Sequence, residues 1–356
     1  MPSWVPNNND LLELTIFFGS FIATYFGVRW FRAWSVNRGL IDHPNERSSH
    51  SIPTPRGGGL IIAAVVITAY ILSSVLLSTE LSWGFIAGSV LIVAVSWLDD
   101  RYSVSFSWRL LAHLIAAGFL IYSEGFVTSL NIPGIAVTIN LGYIGAVLTF
   151  CWIVWLVNAY NFMDGIDGIA GIQAVSAALG WLLLGLSANA SEIQLLAGTI
   201  LFASLAFLLH NWPPARIFMG DSGSAFLGFV FAGLPLLVRT DGGIDRGFIA
   251  VIGIVLVWPF VFDSVFTLTR RLLRRERVWQ AHREHLYQRL VVSGYSHRKT
   301  TMLYGAASFL NVSAVVFFLS RPGTFAVWIM AAVIFAESIC LLALCRKRKC
   351  LWGQVS

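Results

Sequence analysis

Charge is what this chain lacks most. Only 12% of its 356 residues are Asp, Glu, Lys or Arg, against about 25% in an ordinary soluble domain, while 57% are hydrophobic. With a mean hydropathy of +0.74, a soluble fold is excluded and an integral membrane protein is required. Cysteine is scarce too, with four in all. Cys151 and Cys340 fall within apolar runs, and Cys345 and Cys350 fall near the basic C-terminus, so free thiols are expected and a disulfide framework is not. No basic segment precedes the first apolar run; Arg29 and Arg32 follow it, which reads as an anchor and not a cleaved signal peptide. No internal repeat stands out.

What the chain has instead is apolar length. A helix of about 17–25 residues crosses a hydrocarbon core of about 30 Å. Such runs lie near 11–30, 58–78, 82–98, 110–127, 143–162, 168–187, 192–210, 222–238, 247–270, 300–319 and 324–345. The expected fold is therefore all-α and polytopic, in one membrane domain with about eleven transmembrane helices. Among Lys and Arg, Arg239, Arg246 and Arg321 lie at one side of this array, and the rest, including Arg346-Lys-Arg-Lys349, lie near the other. The positive-inside rule makes the second side cytoplasmic, with the N-terminus outside and the C-terminus inside. The net charge of +6 is explained by that bias and by attraction to anionic lipids, so no nucleic acid is needed as a partner. Trp30, Trp34, Trp83, Trp97 and Trp108 sit near the run ends, as an interfacial belt does. Outside, Asn131 to Asn140 alternates apolar and small polar residues around Pro133-Gly134, a pattern for a short hairpin.

The polar residues collect at the cytoplasmic ends of these runs. Asn158, Asn161 and Asp164 follow each other at intervals of three, with Asp167 three further on, and Gly165 and Gly168 permit a tight turn or a close approach. Helix capping accounts for one or two such residues, not for four. Asp99 and Asp100 are adjacent carboxylates that repel unless a cation or a proton joins them. Arg47, His50 and Arg56 flank a Pro- and Gly-rich stretch ending at Gly59, a donor set that suits phosphate; an ordinary positive-inside loop is the plainer alternative. Asp221 lies between Gly220 and Ser222-Gly223 at a helix start, where it reads either as an N-cap or as a carboxylate for a Mg²⁺ that carries substrate phosphates. The longest basic loop holds His282, Arg283, His285 and Arg289. If helical, it aims the two histidines at one ligand, and nothing nearby completes a zinc site. Asp263, within an apolar run, is expected to face the protein interior.

Pro53-Thr-Pro-Arg-Gly-Gly-Gly59, Asp99-Asp100, the Asn158 to Gly168 array, Phe218-Met-Gly-Asp221-x-Gly and His282 to Arg289 occur in the order seen in polyprenyl-phosphate N-acetylhexosamine-1-phosphate transferases, which the chain resembles from about Asp42 to Arg289. The last loop departs from the His-rich triplet of the peptidoglycan branch. With Arg47-Ser-Ser-His50 it looks more like the bacterial O-antigen-initiating branch, which argues against a peptide-bearing muramyl substrate. The resemblance implies transfer from a UDP-N-acetylhexosamine to undecaprenyl phosphate with release of UMP. It places the enzyme in a bacterial inner membrane with its active site on the cytoplasmic face, and homodimers are common in the family. It implies Mg²⁺, with Mn²⁺ as a substitute, held by Asn161 and Asp221. Asp99 and Asp100 would activate or position the lipid phosphate. Asp164, Gly165, Asp167 and Phe218, beside Asn158, would form the nucleotide pocket, and His282, Arg283, His285 and Arg289 would hold the diphosphate and sugar. A polytopic secondary transporter is the rival class, but transporters bind near the midplane, and here the polar clusters gather at one surface. Cysteines placed at Ser103 and Ser222 are expected to escape an impermeant thiol reagent added outside sealed cells; strong labelling there would invert the topology.

Overall fold

The computed structural model describes residues 8–44, 52–77, 79–132, 137–238, 245–276 and 283–347. Each of the eleven apolar runs is helical. In chain order they are α1 (Asn8–Asn37), α2 (Gly59–Leu77), α3 (Trp83–Tyr102), α4 (Phe106–Glu124), α5 (Ile144–Phe162), α6 (Ile169–Ala188), α7 (Ser191–Asn211), α8 (Asp221–Leu237), the pair α9 (Arg246–Leu256) and α10 (Trp258–Leu273), α12 (His297–Ser320) and α13 (Thr324–Lys347). A short α11 (Leu286–Val292) joins α10 to α12. Among the described residues nine helices are long and apolar enough to cross a membrane, ten if the α9–α10 pair counts as one span. Cys151 and Cys340 are free thiols, and buried Cys345 lies with its Sγ 3.7 Å from the Leu286 carbonyl.

The run near 247–270, expected as one span, is instead broken, with α9 and α10 bent by 76°. Pro259 in the first turn of α10 has no N–H to continue the ladder, and Val257 leaves helical geometry at φ −108°, ψ 14°. A break inside the apolar zone strands carbonyls; that of Leu256 accepts a hydrogen bond from Gln173 Nε2 at 2.9 Å, and Ser308 Oγ in turn donates to Gln173 Oε1 at 2.8 Å. The hairpin expected around Pro133-Gly134 has its two arms paired as antiparallel strands β3 (Ser129–Ile132) and β4 (Val137–Asn140). Two further short strands, β1 (Ile41–Asp42) and β2 (Thr54–Pro55), pair antiparallel ahead of α2.

α8 is the axis of the bundle. Every residue from Ser222 to Leu237 is buried, as befits a helix that is apolar all round. It spans only 17 residues, and neighbouring helices rather than lipid enclose it. Small residues allow that enclosure: Gly228 lies against the backbone of Leu156 and Val157 on α5, and Gly223 faces Gly59 of α2 backbone to backbone. A Cβ built on Gly223 would sit 2.5 Å from the Gly59 Cα, whereas one on Gly118 meets nothing within 4 Å. Gly223→Ala should therefore lower stability in detergent by about 1–3 kcal/mol through overpacking, read as a lower unfolding temperature, and Gly118→Ala should leave it unchanged. Equal melting of the two would refute the α2–α8 contact.

Candidate active site

Asp99 and Asp100 end α3, and their side chains go different ways. Asp99 Oδ1 accepts the Val104 N–H at 2.7 Å, closing the turn into α4, where Ser103 takes the left-handed conformation (φ 55°). That turn puts Arg109 in the first turns of α4, and its Nη1 lies 2.5 Å from Asp99 Oδ2 and 3.2 Å from Asp221 Oδ2. Asp100 is buried and points at the start of α8. Its carboxylate accepts the N–H groups of Asp221 (3.1 Å) and Ser222 (3.2 Å) and the Ser222 hydroxyl (3.1 Å). The first N–H groups of a helix have no partner within it, and its N-terminus carries partial positive charge, so a carboxylate from another helix serves as the cap. Asp221 is thus not the N-cap, one of its two sequence readings: Gly220 holds that position at φ 77°, ψ 166°, and Asp221 is the first helical residue.

The first and fourth motifs meet at the same point. Phe218 N–H donates to the Pro55 carbonyl (2.8 Å), Gly58 N–H to the Phe218 carbonyl (2.9 Å) and Gly59 N–H to the Met219 carbonyl (2.8 Å). Half-buried Arg56 donates through Nη2 to the Asp100 carbonyl. A side chain on Gly220 would strike Gly57 and the Asp100 carboxylate. Arg47 and His50 lie outside the described residues, as does His282.

From α5, Asn158 and Asn161 do share a face. Asn161 Nδ2 donates to Ser224 Oγ at 3.0 Å and its side chain hydrogen-bonds the Asp221 carboxylate. Asn158 Nδ2 donates to the Val154 carbonyl at 2.7 Å, and its side chain meets that of buried His113 on α4. Asn158, Asn161, Arg109, His113 and Asp221 line a cleft of about 20 Å³, room for one water or one ion. In the loop beyond, burial and then the charges of Asp221, Asp100 and Asp167 hold the Asp164 carboxyl well above the usual carboxylate range. Asp167 is bound structurally: it accepts the Ala215 N–H (3.0 Å) and meets His297 Nδ1 (3.2 Å). Gly165 abuts Tyr287 so closely that no side chain fits, and Tyr287 Oη donates to the Phe162 carbonyl at 2.9 Å.

The basic loop departs from expectation. Residues 283–285 are not helical: α11 starts at Leu286, and buried His285 is its N-cap. The cause is Asp263. Fully buried on α10, it accepts from Leu286 N–H (2.8 Å), Tyr287 N–H (3.1 Å) and Tyr304 Oη (2.5 Å), and lies 3.1 Å from His285 Nδ1. Arg289 is buried as well, with Nε on the Glu284 carbonyl (3.1 Å) and Nη2 on its carboxylate (3.3 Å). Arg270 and Arg271 pair with the same carboxylate. Burial raises the Glu284 pKa, but Arg270, Arg289 and Arg271 outweigh it and hold the group below the usual range. Arg283, next in sequence to Glu284, is half-buried.

Several members of the site went unread in the sequence: Arg109, His113, Ser222, Ser224 and Glu284. Arg109 had a signal, a cation at the threshold of an apolar run ten residues after Asp99. Ser222 is fully buried, so of the two labelling positions Ser103 alone reports on topology.

Asp99 and Asp221 offer carboxylate oxygens at the position now held by the Arg109 guanidinium, and Asn161 adjoins Asp221 in the same cleft, which is chemistry suited to Mg²⁺. Among the described residues no three Asp, Glu, His or Cys side chains form a ready metal cage. A cation here would complete its shell with water and phosphate oxygens, as Mg²⁺ commonly does.

Fold and site together define a membrane-embedded transferase whose acidic centre lies at one end of a helical bundle. Residues 82–239 match the family described as Glycosyl transferase family 4. The chain is 31% identical to the decaprenyl-phosphate N-acetylglucosaminephosphotransferase of Mycolicibacterium smegmatis, over 92% of this chain and 87% of that protein. It is 29% identical to the probable undecaprenyl-phosphate N-acetylglucosaminyl 1-phosphate transferase of Bacillus subtilis, over 85% and 82%. It is 27% identical to a phospho-N-acetylmuramoyl-pentapeptide-transferase of Listeria monocytogenes, over 67% and 77%. The chain belongs to the polyprenyl-phosphate N-acetylhexosamine-1-phosphate transferase family and is an enzyme that transfers a sugar 1-phosphate to a polyprenyl phosphate.

The two aspartates predict different losses. Asp100→Ala strands two buried N–H groups at the head of α8 and should cost about 1–3 kcal/mol of stability. Asp99→Asn leaves Arg109 paired with Asp221 and should melt near wild type; the reverse order in thermal melts would overturn the capping role of Asp100.

Proposed function

We propose that the enzyme transfers N-acetylhexosamine 1-phosphate from a UDP-N-acetylhexosamine to undecaprenyl phosphate at the cytoplasmic face of a bacterial inner membrane, releasing UMP. The observation that carries this reading is the convergence of Asp99 and Asp221 on one cationic position, with Asn161 bonded to Asp221, where the first four motifs meet. Phosphoryl transfer asks for positioning and charge neutralisation, not for a covalent nucleophile. Asp221 and Asn161 would hold Mg²⁺, which when bound neutralises phosphate charge. Asp100 is committed to the head of α8, so Asp99 is the member of the pair that positions the lipid phosphate or accepts its proton. Asp164, Gly165 and Phe218 border the nucleotide. Arg283 is the diphosphate contact of the last loop, whereas His285 and Arg289 act through the placement of α11. The names of the mycobacterial and Bacillus relatives favour N-acetylglucosamine as the sugar, and the departures in the last loop favour O-antigen priming as the pathway.

The test is label transfer from radioactive UDP-N-acetylglucosamine to undecaprenyl phosphate by purified full-length protein with Mg²⁺. Label in the lipid phase with equimolar UMP is expected; none with any UDP-N-acetylhexosamine would sink the proposal. Asp221→Ala should stay at background from pH 6 to 9. A lipid phosphate with a second pKa near about 6 is mostly dianionic at pH 7, so Asp99→Asn should lose activity only in the lower part of the roughly 10²–10⁴-fold range of a general base and regain some as pH rises. An Asp99→Asn enzyme as inactive as Asp221→Ala throughout would move Asp99 to the metal site.

Asp164 adds a linkage. Burial and the neighbouring carboxylates raise its pKa and a divalent cation nearby would lower it, so Mg²⁺ binding should release protons and tighten as pH climbs. Calorimetric titrations in buffers of different ionisation heat measure the release. Binding heats independent of buffer would remove Asp164 from the metal's surroundings.

A further inference from the structure

At the end of α10 that carries Arg270, a groove opens between α10 and α13. Phe266, Leu273, Ile339 and Leu342 form its apolar walls, and Arg270 and Arg346 stand at its mouth. Its volume of about 690 Å³ falls within the roughly 300–1,000 Å³ of small-molecule sites. Leu273 and Ile339 are largely exposed, so no described part of the chain covers the walls. Arg346 is also exposed, makes no ion pair with a described residue, and is followed in sequence by Lys347, Arg348 and Lys349. An apolar slot with cations at its membrane-surface end is complementary to a molecule with a long hydrocarbon chain and a negative head. Long basic side chains at helix ends reach to the headgroup level, and clustered ones select anionic lipid.

We propose that this groove binds an anionic phospholipid, with one acyl chain between α10 and α13 and its phosphate on Arg346. The site is separate from the carboxylate centre, and the proposal does not depend on the sugar or on the carrier. It has a path to the centre. Arg270, at the groove mouth, pairs with Glu284, the carboxylate that also holds Arg289 of α11. α11 in turn reaches the last residue of α5, beside the active site, through the bond from Tyr287 to the Phe162 carbonyl. A lipid wedged between α10 and α13 therefore braces the element on which the basic loop is mounted.

Native mass spectrometry of the full-length protein, titrated with phosphatidylglycerol, phosphatidylcholine of the same chains and undecaprenyl phosphate, tests the assignment. Phosphatidylglycerol should be retained over phosphatidylcholine. Arg346→Ala should lower its retention by roughly fivefold, the worth of one basic residue at an anionic surface, and Arg346→Lys should restore it. Ala343→Trp, which fills the groove from an exposed position, should abolish retention of both phospholipids. Equal retention of the two phospholipids by wild type, or full retention by Ala343→Trp, would overturn the proposal. One-for-one displacement of phosphatidylglycerol by undecaprenyl phosphate would also overturn it, assigning the groove to the carrier chain.

Discussion

The geometry of the site depends on a carboxylate at the head of a buried helix. Asp100 receives the first two N–H groups of α8 and the Ser222 hydroxyl, and it does so where water does not compete. Because α8 is enclosed on all sides, fixing its first turn fixes the direction of Asp221, which is the first residue of that turn. Asp221 then lies within reach of Arg109 from α4 and Asn161 from α5. The strand-like pairing of residues 55–59 with 218–219 holds the approach to the same turn from the other side. Four helices and one extended segment thus take their register from a single acceptor. Removing it would disturb the centre even if every other side chain were kept.

Two charge clusters of opposite sign flank the Asn158 to Gly168 segment. On one side Asp99 and Asp221 share the Arg109 guanidinium with Asp100 close by, and burial, then the charges of Asp221, Asp100 and Asp167, push the Asp164 carboxyl well above the usual carboxylate range. On the other side Glu284 gathers Arg270, Arg271 and Arg289. A multiply charged phosphate ligand with a divalent cation carries both signs, and a site already polarised in both senses meets it with little reorganisation. Gly165 keeps the halves close, since any side chain there would push Tyr287 and α11 away.

The helices were legible in the sequence because lipid imposes one dominant constraint, apolar length, and every run satisfying it is a helix. The break at Val257 was not legible, since hydrophobicity runs through it unchanged and Pro259 alone cannot distinguish a kink from an ordinary first-turn proline. The shared face of Asn158 and Asn161 followed from helical spacing. The division of labour between Asp99 and Asp100 did not: neighbours on a helix point about 100° apart, and which of them meets α8 depends on how α3 packs, which is not written in local sequence. His285 shows the same limit. Its partner Asp263 is 22 residues away, and from the sequence Asp263 read only as an inward-facing carboxylate and His285 as a contact for a ligand.

Deep polar residues also separate an enzyme of this kind from a carrier. In a transporter, polar groups at mid-membrane line a path and must exchange partners. Here Gln173 is bound to the Leu256 carbonyl and Ser308, Asn311 donates to Glu337 at 3.1 Å, and Trp258 donates to Ser338 at 3.1 Å. Each of these bonds joins two helices, and the first satisfies a carbonyl stranded by the α9–α10 break. They act as pins, and the enclosed α8 offers no seam along which the bundle can rock. The polar groups arranged to meet a ligand lie instead at the ends of α3, α5, α8 and α10, the level at which a water-borne donor and a membrane-held acceptor can both arrive.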